Sequence, residues 1–359
     1  MADGRSDAVP GSPEWWSLLE ARARAAVPSA VLRYVEDGAR DEVTLSEATA
    51  AWREARLLPR VLRDVREVRL TRELLGCAAS FPLGIAPMTL QKAAHPRGEV
   101  AMAEAAAAEG VPIVLSSNAG SSFADVGATG ATWWLQLYMS PDREVAAALV
   151  DEAAHHGARA VVLTVDTPVV GTRFPTPGEQ HVWDVAHPSW VGANLPREGR
   201  DPDPARRHKA MDLAAGDLTT LKSRSGLPVI VKGVLRGDDA LAAVGAGAAG
   251  VWVSNHGGRQ LDQAQATARC VARVREAVGE QATVLVDGGV RSGLHALVAL
   301  ALGADAVLVG RPVFLALAAD GPEGVRRLLR LLRDELEEAM RLAGCADLDV
   351  VRGLVDDGR

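Results

Sequence analysis

The stretch from residue 250 to residue 262 reads Gly-Val-Trp-Val-Ser-Asn-His-Gly-Gly-Arg-Gln-Leu-Asp. Its first half is a continuous apolar run, which is typical of a strand with both faces buried. The run then breaks into a polar turn that contains two glycines, His256 and Arg259. Glycine lets the backbone approach a ligand, histidine exchanges a proton near neutral pH, and arginine offers a planar fork for an anion. This combination favours a ligand site over an ordinary polar turn that caps a strand.

Composition limits the class of protein. The chain has 359 residues, of which 48% are hydrophobic and 24% are charged, as in an ordinary globular protein. The formal net charge of −7 argues against nucleic acid as the natural partner. Cys77, Cys270 and Cys345 lie far apart without the spacing of metal ligands, so we expect reduced thiols, no metal site and a cytoplasmic location. No apolar run reaches the roughly 18 residues that span a bilayer, and the N-terminus does not resemble a signal peptide.

A repeat of apolar strand, polar turn and alanine-rich helix fills most of the chain. The predicted strands cover residues 83–86, 113–116, 133–138, 160–165, 228–232, 250–254, 283–286 and 306–309. Eight such alternations predict a (β/α)8 barrel. A doubly wound open sheet is the competing arrangement, but no Gly-x-Gly-x-x-Gly turn follows the first strand.

The segments outside the repeat suggest how the chain is organised. We expect residues 1–12 to be disordered and residues 13–359 to form a single domain. Residues 15–51 have the composition of helices, one of which we expect to end at Gly38, and residues 52–80 are interpreted as a connector. About 60 residues separate the fourth and fifth strands, and the part from 174 to 215 is rich in proline, glycine and charge, which predicts a lid. Residues 324–342 predict an amphipathic helix that completes the outer ring or makes an oligomer contact.

Polar residues follow every predicted strand. In a barrel of this class the active site lies at the carboxyl ends of the strands, so these residues should meet there. In strand order they are Pro87, Met88 and Thr89; Ser116 and Asn118; Gln136 and Tyr138; Thr164, Asp166 and Arg173; Lys232; Ser254, His256 and Arg259; Asp287, Gly288, Gly289 and Arg291; Gly310 and Arg311.

The last two turns carry a phosphate signal. Each combines glycine with an arginine, Arg291 in one and Arg311 in the other, and the turns after strands seven and eight commonly bind phosphate in such barrels. We favour a phosphate site over two ordinary turns. Lys232, at the end of strand five, could form a Schiff base or could stay charged beside an electron-rich ring, and the residues alone leave both readings open.

Six motifs occur in the order seen in a known family. Together they resemble the FMN-dependent 2-hydroxy acid oxidases and dehydrogenases, a family that includes glycolate oxidase, lactate oxidase and mandelate dehydrogenase. The resemblance covers about residues 28–345. The motifs are APMTLQKAAHPRGE (86–99), LQLY (135–138), LTVDTP (163–168), VKGV (231–234), VSNHGGRQLD (253–262) and DGGVRSG (287–293).

The resemblance implies FMN as cofactor and assigns its contacts. Ser116, Gln136, Thr164 and Lys232 would contact the flavin ring, with Lys232 stabilising its reduced form. The ribityl chain and phosphate would be held by Asp287, Gly289, Arg291, Gly310 and Arg311. The remaining cofactor positions would be Pro87, Met88, Thr89, Ser254 and Gly288.

The resemblance also implies the chemistry of the substrate site. His256 would be the catalytic base with Asp166 beside it, and Arg173 and Arg259 would bind the substrate carboxylate. Tyr34 and Tyr138, the only tyrosines of the chain, would complete the pocket. The implied reaction converts an (S)-2-hydroxy acid to the 2-oxo acid, with oxygen or another acceptor taking the electrons. We further expect a homo-oligomer, for which a tetramer is plausible.

The chain departs from many relatives in its specificity residues. Asn118 stands where many relatives carry an aromatic ring, and the segment after Arg173 has a different continuation. A smaller side chain at position 118 predicts a substrate larger than glycolate, such as an aromatic acid, with Trp183 and Trp190 of the lid able to fold over it. Two alternatives remain from the residues: a Schiff-base lyase or aldolase that uses Lys232 on a phosphorylated substrate, and a non-catalytic flavin-binding protein.

Overall fold

Eight parallel strands form a closed barrel, which confirms the predicted (β/α)8 fold. The computed structural model describes residues 8–174, 178, 180–196 and 209–355, and the structural statements below concern these residues. The strands follow one another around the barrel in chain order. The barrel closes where the last strand pairs with the first, with Val307 beside Leu83.

Three helices precede the barrel: α1 (Pro13–Ala26), α2 (Ser29–Glu36) and α3 (Val43–Glu54). The helical prediction for 15–51 missed the break at Pro28, which stands at the N-cap of α2 and cannot donate a backbone hydrogen bond inside a helix. Residues 1–7 of the segment expected to be disordered lie outside the described residues. Ser12, which lies within the segment expected to be disordered, caps α1, because its hydroxyl accepts a hydrogen bond from Trp15 N.

The interpretation of residues 52–80 as a connector was incomplete. Helix α3 continues to Glu54, and a two-stranded antiparallel sheet follows, formed by β1 (Arg72–Leu74) and β2 (Cys77–Ala79). Strands of three residues are too short to show a hydrophobic alternation, so the sequence carried no clear signal for them.

The barrel strands lie close to their predicted positions. They are β3 (Leu83–Ile85), β4 (Ile113–Ser116), β5 (Trp133–Leu137), β6 (Val161–Thr164), β7 (Val229–Val234), β8 (Gly250–Val253), β9 (Thr283–Val286) and β10 (Ala306–Val309). Strand β7 runs two residues past its predicted end, so Lys232 lies inside it. The side chains of Trp134 and Trp252 are fully buried in the cluster that fills the barrel interior.

Ten further helices accompany the barrel strands in the described residues. They are α4 (Gln91–Ala94), α5 (Gly98–Glu109), α6 (Phe123–Gly127), α7 (Arg143–His155), α8 (Val182–Val185), α9 (Ala215–Ser225), α10 (Gly237–Gly245), α11 (Val271–Val278), α12 (Gly293–Ala301) and α13 (Arg311–Leu342). Helix α13 begins well before predicted residue 324, and it is interrupted at Asp320 and Gly321, just before Pro322. Within the described ranges, we find no helix whose length and apolar character would let it cross a bilayer. The assignment of 13–359 to one domain stays a prediction.

The described part of the lid is attached to the barrel. Gly192 N donates to Asn118 O (3.1 Å) and Ala193 N donates to Ala119 O (2.9 Å), so this segment is fixed beside the end of β4. On the far side, Ala210 N donates to Met139 O (2.9 Å) beside the end of β5. These bonds hold residues 192–193 and 210 of the predicted lid beside the ends of β4 and β5.

Candidate active site

One large cavity opens at the carboxyl ends of the barrel strands, with an empty volume of about 1260 Å³ including its mouth. The structure brings nearly all of the predicted site residues to its wall. These are Tyr34, Pro87, Met88, Thr89, Ser116, Asn118, Gln136, Tyr138, Thr164, Arg173, Lys232, His256, Arg259, Asp287, Gly288, Gly289, Arg291, Gly310 and Arg311. Asp166 and Ser254 lie immediately behind this wall and bond to residues that line it.

His256 is fixed by a short hydrogen bond to Asp166. The distance from His256 Nδ1 to Asp166 Oδ1 is 2.9 Å, and it joins the residues that follow β6 and β8. His256 has a φ of +58°, which is uncommon for a residue with a side chain and is typical of positions where function imposes strain. Because Nδ1 faces the carboxylate, Nε2 faces the cavity, 3.4 Å from the hydroxyl of Tyr138.

Burial and pairing set the charges of these two groups. Burial lowers the pKa of His256 more than the neighbouring carboxylate raises it, so the resting imidazole is neutral and can accept a proton. Burial raises the pKa of Asp166, but the charge of His256 when it is protonated, the hydrogen bonds from His256 and Thr167 and the charge of Lys232 outweigh this, and the pKa falls to about 2. The carboxylate is therefore ionised and ready to stabilise a protonated His256.

Two residues that sequence reasoning missed hold this pair in place. Thr167 donates from Oγ1 to Asp166 Oδ1 (3.0 Å), and Gln260 donates from Nε2 to Thr167 Oγ1 (2.9 Å). The side-chain Oε1 of Gln260 accepts a hydrogen bond from Gly171 N (2.8 Å), which links the β8 turn to the segment after β6. Both residues lie inside quoted motifs, next to Asp166 and Arg259, but nothing in their type pointed to a positioning role.

Two arginine side chains contact the ring of Tyr34. The guanidinium carbons of Arg173 and Arg259 are 4.7 and 4.8 Å from the centre of its ring. Arg259 also donates to the backbone carbonyls of Tyr34, Val35 and Asp37 at the end of α2. The last carbonyls of a helix lack partners within the helix and carry partial negative charge, so α2 stabilises this cation.

The arginines leave a buried surplus of positive charge. Burial, followed by the charge of Arg173, lowers the pKa of Arg259 to about 10. Burial, followed by the charges of Arg259, Arg291 and Arg173, lowers the pKa of Arg311 to about 9. Arg173 Nε is buried without a hydrogen-bond partner. Such a cluster is suited to binding anions.

Hydrogen bonds between side chains cross the floor of the cavity. Ser116 donates to Gln136 Oε1 (3.1 Å), and Gln136 donates to Thr164 Oγ1 (3.0 Å), across β4, β5 and β6. Lys232 Nζ donates to Ser254 Oγ (2.8 Å) and lies 3.3 Å from Asp287 Oδ2, across β7, β8 and β9. This floor presents hydrogen-bonding groups and a lysine ammonium to a flat polar ligand.

The turn after β9 is packed against helix α3. Gly288 and Gly289 have φ values of +95° and +75°, and a Cβ at Gly289 would lie 2.1 Å from Ala48 O. Only glycine fits so close to another backbone at positive φ. Trp52 Nε1, on the same helix, donates to Gly288 O (2.7 Å) and holds the turn against α3.

The next turn begins a helix that points into the cavity. Gly310 is the N-cap of α13, and the first N–H groups of a helix form a ready anion site. Arg311 donates to Val35 O and Gly257 O (both 2.8 Å), so it ties this helix to α2 and to the β8 turn. Arg291 lines the same end of the cavity.

Comparison with known proteins decides the family. A family model described as FMN-dependent dehydrogenase matches residues 23–355. The chain belongs to this family. The resemblance inferred from the motifs is thereby confirmed, and FMN is the cofactor of this oxidoreductase.

Individual relatives of this flavoenzyme match along most of its length. L-lactate oxidase from Nostoc sp. is 42% identical over 337 residues, covering 88% of this chain and 90% of the relative. 4-Hydroxymandelate oxidase from Amycolatopsis orientalis is 38% identical over 346 residues, covering 94% of this chain and 96% of the relative. A solved structure of mandelate oxidase with (S)-4-hydroxymandelic acid matches with a TM-score of 0.85 at 36% identity, covering 95% of this chain and 97% of that one.

The residues of this flavoenzyme fit FMN on their own evidence. The floor of hydrogen-bonding side chains suits the flat, polar edge of a flavin ring. The surplus positive charge at the β9 and β10 turns, together with the start of α13, suits a phosphate. Gly288 and Gly289 line the cavity, so this turn presents backbone rather than side chains to it, and a side chain at position 289 would collide with Ala48.

Sequence reasoning missed two further residues of the site. His295 Nδ1 accepts a hydrogen bond from the backbone N–H of Arg291 (3.2 Å), so it positions the β9 turn. Lys209 lines the cavity with its ammonium 4.3 Å from the centre of the Tyr138 ring. His295 lies inside a helix and Lys209 lies far from any strand, so neither shares the position that identified the other site residues.

His295 gives a prediction about pH and stability. Burial, followed by the charges of Arg53 and Arg291, lowers its pKa from 6.5 to about 4. Between these two values the unfolded chain binds a proton that the folded chain excludes, so the unfolding free energy falls as the pH decreases. From about pH 7.5 to about pH 5, this residue should remove about 2 kcal/mol of stability. Urea unfolding of the wild type and of His295→Asn at both pH values measures this loss of unfolding free energy.

The variant should lose less stability on acidification than the wild type. His155 is exposed on α7, so His155→Asn is the matched control and should keep the wild-type pH dependence. Equal pH dependence in His295→Asn and wild type would contradict the assignment of a neutral, buried acceptor.

Proposed function

We propose that this flavoenzyme oxidises an (S)-2-hydroxy acid to the 2-oxo acid with His256 as the base. The observation that carries the proposal is the neutral His256, bonded to ionised Asp166 at 2.9 Å, in the same cavity as two buried arginines. The named relatives act on lactate and 4-hydroxymandelate, both 2-hydroxy acids, which supports the same substrate class here. Oxygen or another acceptor then takes the electrons.

Residues on the floor of the cavity would hold the cofactor. Ser116, Gln136, Thr164 and Lys232 would bind the flavin ring, and Ser254 would orient Lys232 through their 2.8 Å hydrogen bond. Pro87, Met88, Thr89, Asp287, Gly288, Gly289, Arg291, Gly310 and Arg311 would complete the site toward the phosphate. When bound, FMN accepts the two electrons that leave the substrate.

Arg173 and Arg259 would bind the substrate carboxylate. Arg259 Nη1 is occupied by the carbonyls at the end of α2, so its remaining N–H groups are those available to a ligand. Arg173 brings a buried Nε without a partner. A carboxylate held by two such cations would be fixed in both position and orientation, and Tyr34 and Tyr138 line the same cavity.

His256 would remove a proton from the bound substrate. Its Nε2 faces the cavity beside the Tyr138 hydroxyl. Burial raises the pKa of Tyr138, so this phenol keeps its proton and can donate a hydrogen bond. Once His256 is protonated, the Asp166 carboxylate stabilises the imidazolium, and Thr167 and Gln260 keep that carboxylate aligned.

The Schiff-base alternative finds less support in the geometry. Formation of a Schiff base requires an amine that is free to attack a carbonyl. Lys232 Nζ instead donates to Ser254 and lies 3.3 Å from the Asp287 carboxylate. A non-catalytic flavin-binding protein is likewise disfavoured, because it would not need an oriented His256–Asp166 pair.

The site favours a substrate larger than glycolate. Asn118 lines the cavity where many relatives carry an aromatic ring. Trp183 of the lid packs against Tyr34, with ring centres 5.2 Å apart, and so reaches the edge of the site. Trp190 packs beside His187, with ring centres 6.3 Å apart. The wall at position 118 therefore leaves room beyond C2 of the substrate.

The proposal also includes the location of the protein in the cell and its oligomeric state. The three cysteines are buried and unpaired with one another, which supports a reducing, cytoplasmic location. We also propose a homo-oligomer, with a tetramer as the expected state. The long amphipathic part of α13 supports this, since it leaves Leu342 exposed at its end.

His256→Ala should keep FMN but lose substrate oxidation. Loss of the base should slow anaerobic flavin reduction by about 10²–10⁴-fold, because the described residues that line the cavity include one histidine, His256. Stopped-flow absorbance measures the rate, and the flavin content after purification measures binding. His155→Ala, on the exposed face of α7, is the control, and its flavin should be reduced by the substrate at the wild-type rate. Flavin reduction at the wild-type rate in His256→Ala would refute the role of His256 as base.

Arg173→Met should weaken acid binding more than FMN binding. Loss of a charged hydrogen-bond donor should cost about 3 kcal/mol, or roughly a hundredfold in KM. Arg259→Met should also lower stability, because three carbonyls at the end of α2 lose their donor. Arg236 is exposed, so Arg236→Met serves as control. Equal oxidation of a 2-hydroxy acid and its C1 amide by the wild type would count against a carboxylate site.

Asn118→Trp should narrow the substrate range. We expect mandelate or long-chain acids to reduce the flavin of the wild type faster than glycolate does. Each methylene group of the substrate that is buried in the pocket contributes about 0.8 kcal/mol to its binding. A ring at position 118 should remove that advantage by filling the space. Anaerobic flavin reduction across a size series measures both enzymes. A wild type that prefers glycolate, or a variant that still accepts large acids equally well, would disprove this account of the pocket.

A further inference from the structure

Glu99 is a buried acidic residue that the proposed reaction does not use. It is the last residue of the first quoted motif (86–99), it lies in the first turn of α5, and its exposed fraction is 0%. The described residues that line the cavity do not include it. Burial of a carboxyl group costs free energy unless hydrogen bonds compensate for the lost water, so the partners of Glu99 indicate what it does.

Both carboxyl oxygens of Glu99 accept hydrogen bonds from the turn that follows β4. Oε1 accepts from Gly120 N (3.1 Å), and Oε2 accepts from Ser121 Oγ (2.8 Å). The start of this turn is held separately, because Ser117 N donates to Gln136 O of β5 at 2.8 Å. The barrel sheet therefore fixes the beginning of the turn, and Glu99 fixes the later part of it.

The described part of the lid is bonded to the same turn. In addition to the two backbone hydrogen bonds described above, Asn194 Nδ2 donates to Ser121 O (3.0 Å), and Asn194 Oδ1 accepts from Phe123 N (2.9 Å). The fit is close at Gly120, where a Cβ would lie 2.6 Å from Trp190 O. The same two residues of the turn, Gly120 and Ser121, thus contact both the carboxyl group on α5 and the lid.

This turn also carries Asn118, the wall residue to which we assign the preference for larger acids. Asn118 lines the cavity, and its carbonyl accepts hydrogen bonds from Gly192 N of the lid (3.1 Å) and from Thr89 Oγ1 (3.3 Å). A shift of the turn would therefore move Asn118 and the lid together. Glycolate has no atoms beyond C2, so such a shift should affect only acids with a larger side chain.

We propose that Glu99 is a positioning residue for substrate selection, which holds the turn after β4 in the place where Asn118 and the lid border the substrate side chain. The inference rests on the proposed function and identifies a residue outside the cavity that sets its specificity. The floor of the cavity and the arginine pair depend on other contacts. Binding of FMN and of the C1 carboxylate should therefore not require Glu99.

Glu99→Met removes both acceptors but keeps an unbranched side chain of similar length. Two pairs of acids compare a large with a small ligand: mandelate with glycolate, and phenylacetate with acetate, which lack the hydroxyl and bind without being oxidised. Flavin absorbance of the FMN-loaded enzyme gives the apparent Kd of all four acids and the limiting reduction rate for the first pair. We expect the Kd values of mandelate and phenylacetate to rise about tenfold or more. The Kd values of glycolate and acetate, the limiting rates and the FMN content should stay at wild-type levels.

Three further variants connect this effect to the turn. Glu99→Gln can still accept from Gly120 N with its carbonyl and can donate to Ser121 Oγ, so it should restore most of the wild-type affinity. Asn194→Ala removes the lid side of the contact and should weaken binding of the large acids only. Combined with Glu99→Met, it should add little, because both changes release the same turn. Glu104→Gln, exposed on the same helix, is the matched control and should behave as the wild type.

Each outcome supports or overturns the proposal. Equal losses for large and small acids in Glu99→Met, with a lower FMN content, would overturn it, because they indicate a general structural role. Unchanged binding of the large acids in Asn194→Ala would also overturn it, and this result does not depend on how well Glu99→Met folds. The same holds for a wild type that binds neither mandelate nor phenylacetate. Flavin reduction by glycolate in any of these cases confines the failure to this inference, whereas a wild-type flavin that no 2-hydroxy acid reduces contradicts the proposed function as well.

Discussion

The hydrogen bond between His256 Nδ1 and Asp166 Oδ1 is the interaction on which the proposed chemistry depends. It fixes which nitrogen of the imidazole faces the cavity, and it places an ionised carboxylate behind the base. Burial would leave His256 a poor proton acceptor, since it disfavours the imidazolium, and Asp166 offsets that penalty when the proton arrives. Thr167 and Gln260 form hydrogen bonds that hold the Asp166 carboxylate in place. His256 itself adopts a positive φ in the turn that brings it to this carboxylate.

A second constraint is the burial of several arginines at one end of the barrel. Like charges repel one another in a poorly solvated site, and the lowered pKa values of Arg259 and Arg311 reflect both effects. The carbonyls at the end of α2 offset part of this cost, which explains why a helix outside the barrel belongs to the active site. The remaining positive charge fits the two anions of the reaction, a cofactor phosphate and a substrate carboxylate.

Most of the fold and much of the site could be predicted from the sequence. The buried strands are apolar runs that end in polar turns, so the strands and the residues after them were located together. Tyr34 came from the family resemblance, whereas Arg311 was located by its position after the eighth strand. What could not be predicted has different causes: the β1–β2 hairpin is too short to show a pattern, and His295 bonds the backbone of Arg291, four residues earlier, in a way that its type does not indicate. Lys209 reaches the Tyr138 ring only when folding brings two distant segments together.

The most direct test of the central claim is an anaerobic titration of the FMN-loaded enzyme with (S)-2-hydroxy acids of increasing size, followed by the visible absorption of the oxidised flavin. The account predicts that at least one acid bleaches the flavin completely, with one 2-oxo acid formed per flavin, and that the corresponding C1 amides do not. A flavin that dithionite reduces but that no 2-hydroxy acid reduces would contradict the account.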